Sequence, residues 1–149
     1  KSCNPETKMT ELSLRVTRTI NAPIEAVFNA WLDPAMLVRF MTPGEGVTVP
    51  KAETDARVGG RFDIVMTAGE KELPHSGTYL TIDRHSKLVF TWESPYSDAG
   101  STVTLNLAPS AAGGTDVELL HVKFPSEESR NNHEAGWGAI LATLDGVLA

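Results

Sequence analysis

The stretch SEESRNNHEAGWGAILATLDGVL, residues 126–148, decides how the rest of the chain reads. Trp137, Ile140, Leu141, Leu144 and Leu148 recur at three- and four-residue intervals, so they share one helical face. Ser126 stands where a helix N-cap belongs, and Glu127 and Glu128 suit the positive end of the helix dipole. An apolar stripe of this kind has to be covered. The segment from about Val47 to Phe124 offers the cover, because its apolar and polar residues alternate between Gly, Pro, Asp and Asn turns. The expected architecture is a curved antiparallel sheet that grips one helix. Such a sheet leaves a hollow beside the helix, and a hollow can bind a ligand.

Upstream, Leu12, Leu14, Val16 and Ile20 alternate with polar residues as a half-buried first strand, and Arg18 interrupts the apolar face. Asn21 reads as the N-cap of a short helix over Pro23–Leu32, with Val27, Phe28 and Trp31 as its stripe. Asp33-Pro34 ends it and opens a second short helix through Phe40, which Thr42-Pro43-Gly44 stops. Val47–Ala56 reads as an edge or bulged strand because of Pro50. Phe62, Ile64 and Met66 share one face of the next strand, and Ala68–Pro74 reads as a polar hairpin loop. Strands follow over Ser76–Ile82 and Lys87–Glu93, the latter with Leu88, Phe90 and Trp92 on one face. After a Ser94–Gly100 loop, Val103, Leu105 and Leu107 alternate, and Val117–Phe124 returns past the Ala111–Gly114 turn. Short turns between neighbouring strands imply an antiparallel meander.

The bulk numbers narrow the class. A chain of 149 residues with 41% hydrophobic residues can bury a core as one domain, expected over residues 11–149. Residues 1–10 read as a disordered leader or as leftover expression sequence, because KSCNPETK has no periodicity and Met9-Thr10-Glu11 resembles an initiation site. The net charge of −6 and the absence of a Lys/Arg cluster argue against nucleic-acid binding. No apolar run approaches the ~20 residues of a membrane span. The single cysteine, Cys3, excludes an intrachain disulfide framework and fits a reducing, cytoplasmic setting.

An ordered set of motifs resembles a known family. Arg18-Thr19-Ile20-Asn21-Ala22-Pro23, Val27-Phe28-Asn29-Ala30-Trp31, Arg57-Val58-Gly59-Gly60-Arg61-Phe62, Gly77-Thr78-Tyr79 and Leu88-Val89-Phe90-Thr91-Trp92 run in sequence, followed by His121 and Gly136-Trp137. The set is similar to bacterial AHSA1-like proteins, relatives of the C-terminal domain of the activator of Hsp90 ATPase. These belong to the START-like, helix-grip (SRPBCC) superfamily, which includes the Bet v 1 allergens and polyketide cyclases. The resemblance implies an α+β fold: a seven-stranded antiparallel sheet around the C-terminal helix, closed at one end by two short helices. It also implies an apolar ligand cavity between sheet and helix. Where many relatives carry a Trp in the second short helix, this chain has Arg39-Phe40.

The candidate chemistry is that of a pocket. His75, His85, His121 and His133 are the only histidines, and no pair has helical metal-ligand spacing. His85 falls in a turn and reads as solvated. His121 alternates with Val117 and Leu119 and points with them, either as a polar contact for a ligand or as a buried histidine satisfied by a hydrogen bond. His133 shares a helical face with Trp137. Phe28, Trp31, Phe40, Phe62, Ile64, Phe90, Trp92, Trp137 and Leu141 are candidate walls, with core filling as the competing role. There is no nucleophile elbow and no phosphate loop, so no catalytic residue, metal or cofactor is assigned. Glu118, Asp63 and Glu93 fall opposite apolar faces and read as outward. Gly136, costly inside a helix, implies a close approach of the backbone to the sheet or a partner, and with Gly138 it could permit a bend. The favoured function is a binding module for a small apolar or amphipathic molecule, as monomer or homodimer. The alternatives are an enzyme of the polyketide cyclase or hydrolase type using a pocket His, and an interaction protein with a chaperone partner.

Overall fold

The computed structural model describes residues 12–44, 46–95, 100–111 and 113–148. The expected leader with Cys3, and the middle of the Ser94–Gly100 loop, lie outside the described residues. The elements run β1 (Ser13–Ile20), α1 (Ile24–Ala30), α2 (Pro34–Phe40), β2 (Val47–Thr54), β3 (Arg61–Ala68), β4 (Lys71–Asp83), β5 (Lys87–Thr91), β6 (Thr102–Pro109), β7 (Thr115–Val122) and α3 (Glu127–Leu148). The strands form one seven-stranded sheet, ordered β1-β7-β6-β5-β4-β3-β2, with every neighbouring pair antiparallel. This is the expected α+β helix-grip arrangement.

The alternation read from the sequence sets the concave face. Phe62, Ile64 and Met66 of β3, Leu88 and Phe90 of β5, Val103, Leu105 and Leu107 of β6, and Val117 and Leu119 of β7 are buried in one cluster with Trp137, Ile140, Leu141 and Leu144 of α3. Each such side chain contributes on the order of 1.5–3 kcal/mol by leaving water. The outer face carries the polar alternates. Glu118 pairs there with Arg15 at 2.6 Å, and Glu93 with Arg61 at 3.2 Å.

A cap at one end and a tertiary tie at the other hold α3 in place. Ser126 Oγ accepts from the Ser129 backbone N–H at 3.1 Å, as its N-cap position predicts. At the far end, Asp145 lies on the negative side of the helix dipole and is compensated by Arg18 at 3.1 Å and by the Asn21 backbone N–H at 3.1 Å. This explains why Arg18 interrupts the apolar face of β1: it reaches across to the helix. It also corrects the expected role of Asn21. Helix α1 starts after Pro23 with no side-chain cap, whereas Asp33 caps α2 by accepting from the Ala35 N–H at 2.9 Å.

The hairpin between β3 and β4 departs most from expectation. Ala68–Pro74 is not a loop. Gly69, at φ +67°, and Glu70 make the turn, and β4 runs for 13 residues from Lys71, with Pro74 opposite Val65. The proline and the polar Lys71-Glu72 obscured an alternation, Leu73, His75, Gly77, Tyr79, that runs as far as the irregularity between Tyr79 and Thr81. Pro50 does sit at an irregularity, where the β2–β3 register shifts between Thr48 and Lys51. His85 is half-buried rather than solvated, with its ring edge-on to Phe28 at 5.4 Å.

Gly77 and Gly138 respond oppositely to a methyl group. A Cβ on Gly77 would lie 2.0 Å from the Thr91 carbonyl and 2.6 Å from the Phe62 ring, whereas one on Gly138 meets nothing within 4 Å. Gly77→Ala is therefore expected to cost about 3 kcal/mol. Gly138→Ala is expected to stabilise by up to about 1 kcal/mol through helix propensity. Urea denaturation of the two variants checks the contrast; equal stabilities would contradict the packing described.

Candidate ligand-binding site

Trp137 is the hinge between core and site. Its indole Nε1–H donates to Nδ1 of His121 at 3.0 Å, and Nε2 of His121 lies 2.7 Å from Ser101 Oγ. Nδ1 accepts from an indole, which can only donate, so the proton of the neutral ring is on Nε2 and is given to Ser101. The chain of hydrogen bonds thus crosses from α3 to β7 to the start of β6. Ser101, His121 and Trp137 are all almost wholly buried. Each of these polar groups would cost about 1–3 kcal/mol if left unpaired.

A cleft of about 490 Å³ opens beside this network, between the first half of α3 and the β3–β4 hairpin. Trp92 and Trp137 form its floor, with ring centroids 4.9 Å apart. Met66, Leu73 and His75 form the sheet wall, and the His75 ring lies over Trp92 at 4.7 Å. Ser129, Asn132, His133, Gly136 and Ile140 form the helix wall, and Pro43 closes one side. The lining is mostly apolar, with polar groups toward the first turns of α3. A depression of about 580 Å³ on the outer face of β1, β6 and β7 is larger, but its side chains satisfy one another through Arg15–Glu118, Asn106–Glu118 and Thr19–Asp116 bonds. It is ordinary sheet surface.

The sequence-derived candidates separate into groups. Trp92, Trp137 and His133 line the cleft. Trp31, Phe62, Ile64 and Phe90 do not; with Trp92 they surround an inner void of about 10 Å³. Phe28, Phe40 and Leu141 line neither space and are fully buried core. His121 lies behind Trp137 and holds it, rather than facing the cleft. Gly136 approaches Pro43, whose Cβ would be 3.2 Å from an added methyl, and so meets the loop after α2 rather than the sheet. His75, Leu73 and Ser101 were missed. The signal for the first two was the alternation hidden by Pro74. For Ser101 it was parity with Val103, Leu105 and Leu107. Among the described residues no group of His, Cys, Asp or Glu is placed to hold a metal.

The sequence matches the family described as Activator of Hsp90 ATPase homolog 1-like protein over residues 21–149. The chain belongs to the AHSA1-like family. Its fold superposes on a crystal structure of a Chromobacterium violaceum protein with a TM-score of 0.79 at 28% identity, covering 91% of this chain and 96% of that one. The AHSA1 protein of Silicibacter pomeroyi gives 0.75 at 28% identity, with coverage of 92% and 97%. The solution structure of the AHSA1-like protein from Aeromonas hydrophila gives 0.76 at 27% identity, with coverage of 91% and 90%. No curated protein matches the sequence. No helix among the described residues of this AHSA1-like chain is long and apolar enough to cross a membrane.

The electrostatics of the AHSA1-like site keep two of its imidazoles neutral. Burial, helped by the nearby His133, lowers the pKa of His121 to about 3. Burial also dominates at His75 and lowers its pKa to about 4, against the raising effect of its bond to the Leu73 carbonyl. Both rings bind protons more readily in the unfolded chain, so stability falls as pH drops below about 6.5 and the slope ends near these folded values. His121→Leu leaves Trp137 and Ser101 unpaired and is expected to cost about 3 kcal/mol near neutral pH. It is also expected to flatten the pH dependence of stability between about 6.5 and 4.5. Denaturant midpoints across that range check both effects; an unchanged slope would assign the titration to another group.

Proposed function

We propose that the chain binds a small apolar or amphipathic molecule in the cleft between α3 and the β3–β4 hairpin, in the cytoplasm. The observation that carries this reading is the Trp92–Trp137 floor beneath a mostly apolar opening of about 490 Å³. That volume lies within the range of about 300–1,000 Å³ typical of small-molecule sites. The helix-grip architecture supports it, because one helix covers only part of a wide concave sheet.

The enzyme reading has one feature to consider, the Ser101–His121 hydrogen bond. A nucleophilic serine needs a base with a free lone pair on the nitrogen facing it. Here that nitrogen carries the proton, because Trp137 occupies the other one. The pair is therefore a structural tie and gives catalysis no support. The chaperone reading rests on the family description. The exposed large apolar side chains among the described residues, Val38, Val58 and Leu80, lie on α2, the β2–β3 loop and β4, away from the cleft.

The test uses Nile red, a neutral apolar dye, with blue-shifted emission as the sign of binding. Gly136→Leu projects a side chain from the helix wall into the cleft. It is expected to weaken the dye at least about tenfold, or about 1.4 kcal/mol, and, because its Cβ would lie 3.2 Å from Pro43, to lower the melting temperature modestly while the chain still folds. Undiminished binding in this variant would place the dye elsewhere and remove the cleft as the site.

A further inference from the structure

The two histidines that line the cleft are held in the same tautomer. Nδ1 of His75, on β4, lies 3.1 Å from the Leu73 carbonyl oxygen. Nδ1 of His133, on α3, lies 2.8 Å from the Ser129 carbonyl oxygen. A carbonyl oxygen only accepts, so each Nδ1 carries the proton, and in the neutral ring each Nε2 is left with a lone pair. Among the described residues neither Nε2 has a protein partner, and neither belongs with the buried, unpartnered nitrogens, which are the indole nitrogens of Trp31 and Trp92. Both acceptor nitrogens are therefore accessible, one on each wall of the cleft.

The remaining polar lining has the same bias. Glu128 brings a carboxylate to the helix end of the opening, and among the described residues no Lys or Arg lines it. Ser126, Ser129 and Asn132 can donate or accept. A carboxylate ligand would meet the like charge of Glu128, and no Lys or Arg among the described lining residues would compensate its lost hydration. A hydroxyl or N–H group would find an acceptor on either wall, and the tryptophan floor suits a flat ring.

Resting on the small-molecule reading above, we propose that the cleft selects an uncharged aromatic molecule carrying hydrogen-bond donors, a phenol-type hydroxyl in the first instance, and discriminates against aromatic and fatty carboxylates. His75 and His133 are its specificity-determining residues.

Titration calorimetry with naphthol, its methyl ether and naphthoate, at about pH 7.5 where naphthol is uncharged, separates the possibilities. Naphthol is expected to bind at least about fivefold more tightly than either of the others, the effect of one net hydrogen bond. His75→Phe and His133→Phe keep a ring in place but remove the acceptor, and together they should reduce naphthol to the affinity of its ether while leaving the ether unchanged. Equal affinities in the wild-type chain, tighter naphthoate binding, or a preference that survives both substitutions would overturn the donor selectivity and leave the small-molecule reading standing. Failure of all three compounds to bind would overturn both. The wild-type comparison decides the matter even if a variant does not fold.

Discussion

The hydrogen bond from the Trp137 indole to the His121 imidazole is the contact on which the interior of this domain depends. An α-helix lying across a concave sheet can rotate about its own axis with little change in apolar contact, because hydrophobic burial is not directional. A hydrogen bond is directional, and in a buried setting its loss is costly. The Trp137–His121–Ser101 chain therefore selects one rotation of α3 on the sheet. With that rotation set, Trp137 comes to rest on Trp92, and the two rings, themselves part of the buried cluster, form the floor of the cleft.

The cleft follows from where the apolar stripe of α3 begins. Trp137 is the first of its buried residues, and the turns before it carry Ser129, Asn132 and His133, which cannot close over the sheet. The β3–β4 hairpin nevertheless extends alongside them, so Met66, Leu73 and His75 face polar helix and open space. Gly136 adds clearance at the boundary, with Pro43 close against it. At the opposite end the helix is held by Arg18 and the Asn21 backbone through Asp145. The domain is thus closed at one end of α3 and open at the other.

Histidine serves two distinct purposes within a small volume. His121 has both nitrogens engaged and acts as a tie. His75 and His133 have one nitrogen engaged by a backbone carbonyl and the other accessible. The difference comes from what lies behind each ring: an indole and a hydroxyl for His121, main-chain oxygens for the other two. A buried imidazole with both nitrogens committed has no role left for chemistry, whereas a ring anchored on one side is a preorganised hydrogen-bond acceptor.

Periodicity alone determined much of this molecule. The spacing of Trp137, Ile140, Leu141 and Leu144 gave the buried face of α3, and alternation in β3, β5, β6 and β7 gave the concave face, including His121. Ser126 was legible as a cap because capping is a local interaction. What needed the tertiary structure was everything that joins distant segments. The extension of β4 through Pro74 became evident from its pairing with β3, and with it the place of His75. Ser101 gained meaning only beside His121, and Asp145 only beside Arg18. The division between core aromatics, such as Phe28 and Phe40, and cleft aromatics, such as Trp92, follows from which concave-face residues one helix can cover. A side chain's direction is encoded locally in the strand or helix that carries it, but whether it meets a packed neighbour or open space is decided by elements far away in the chain.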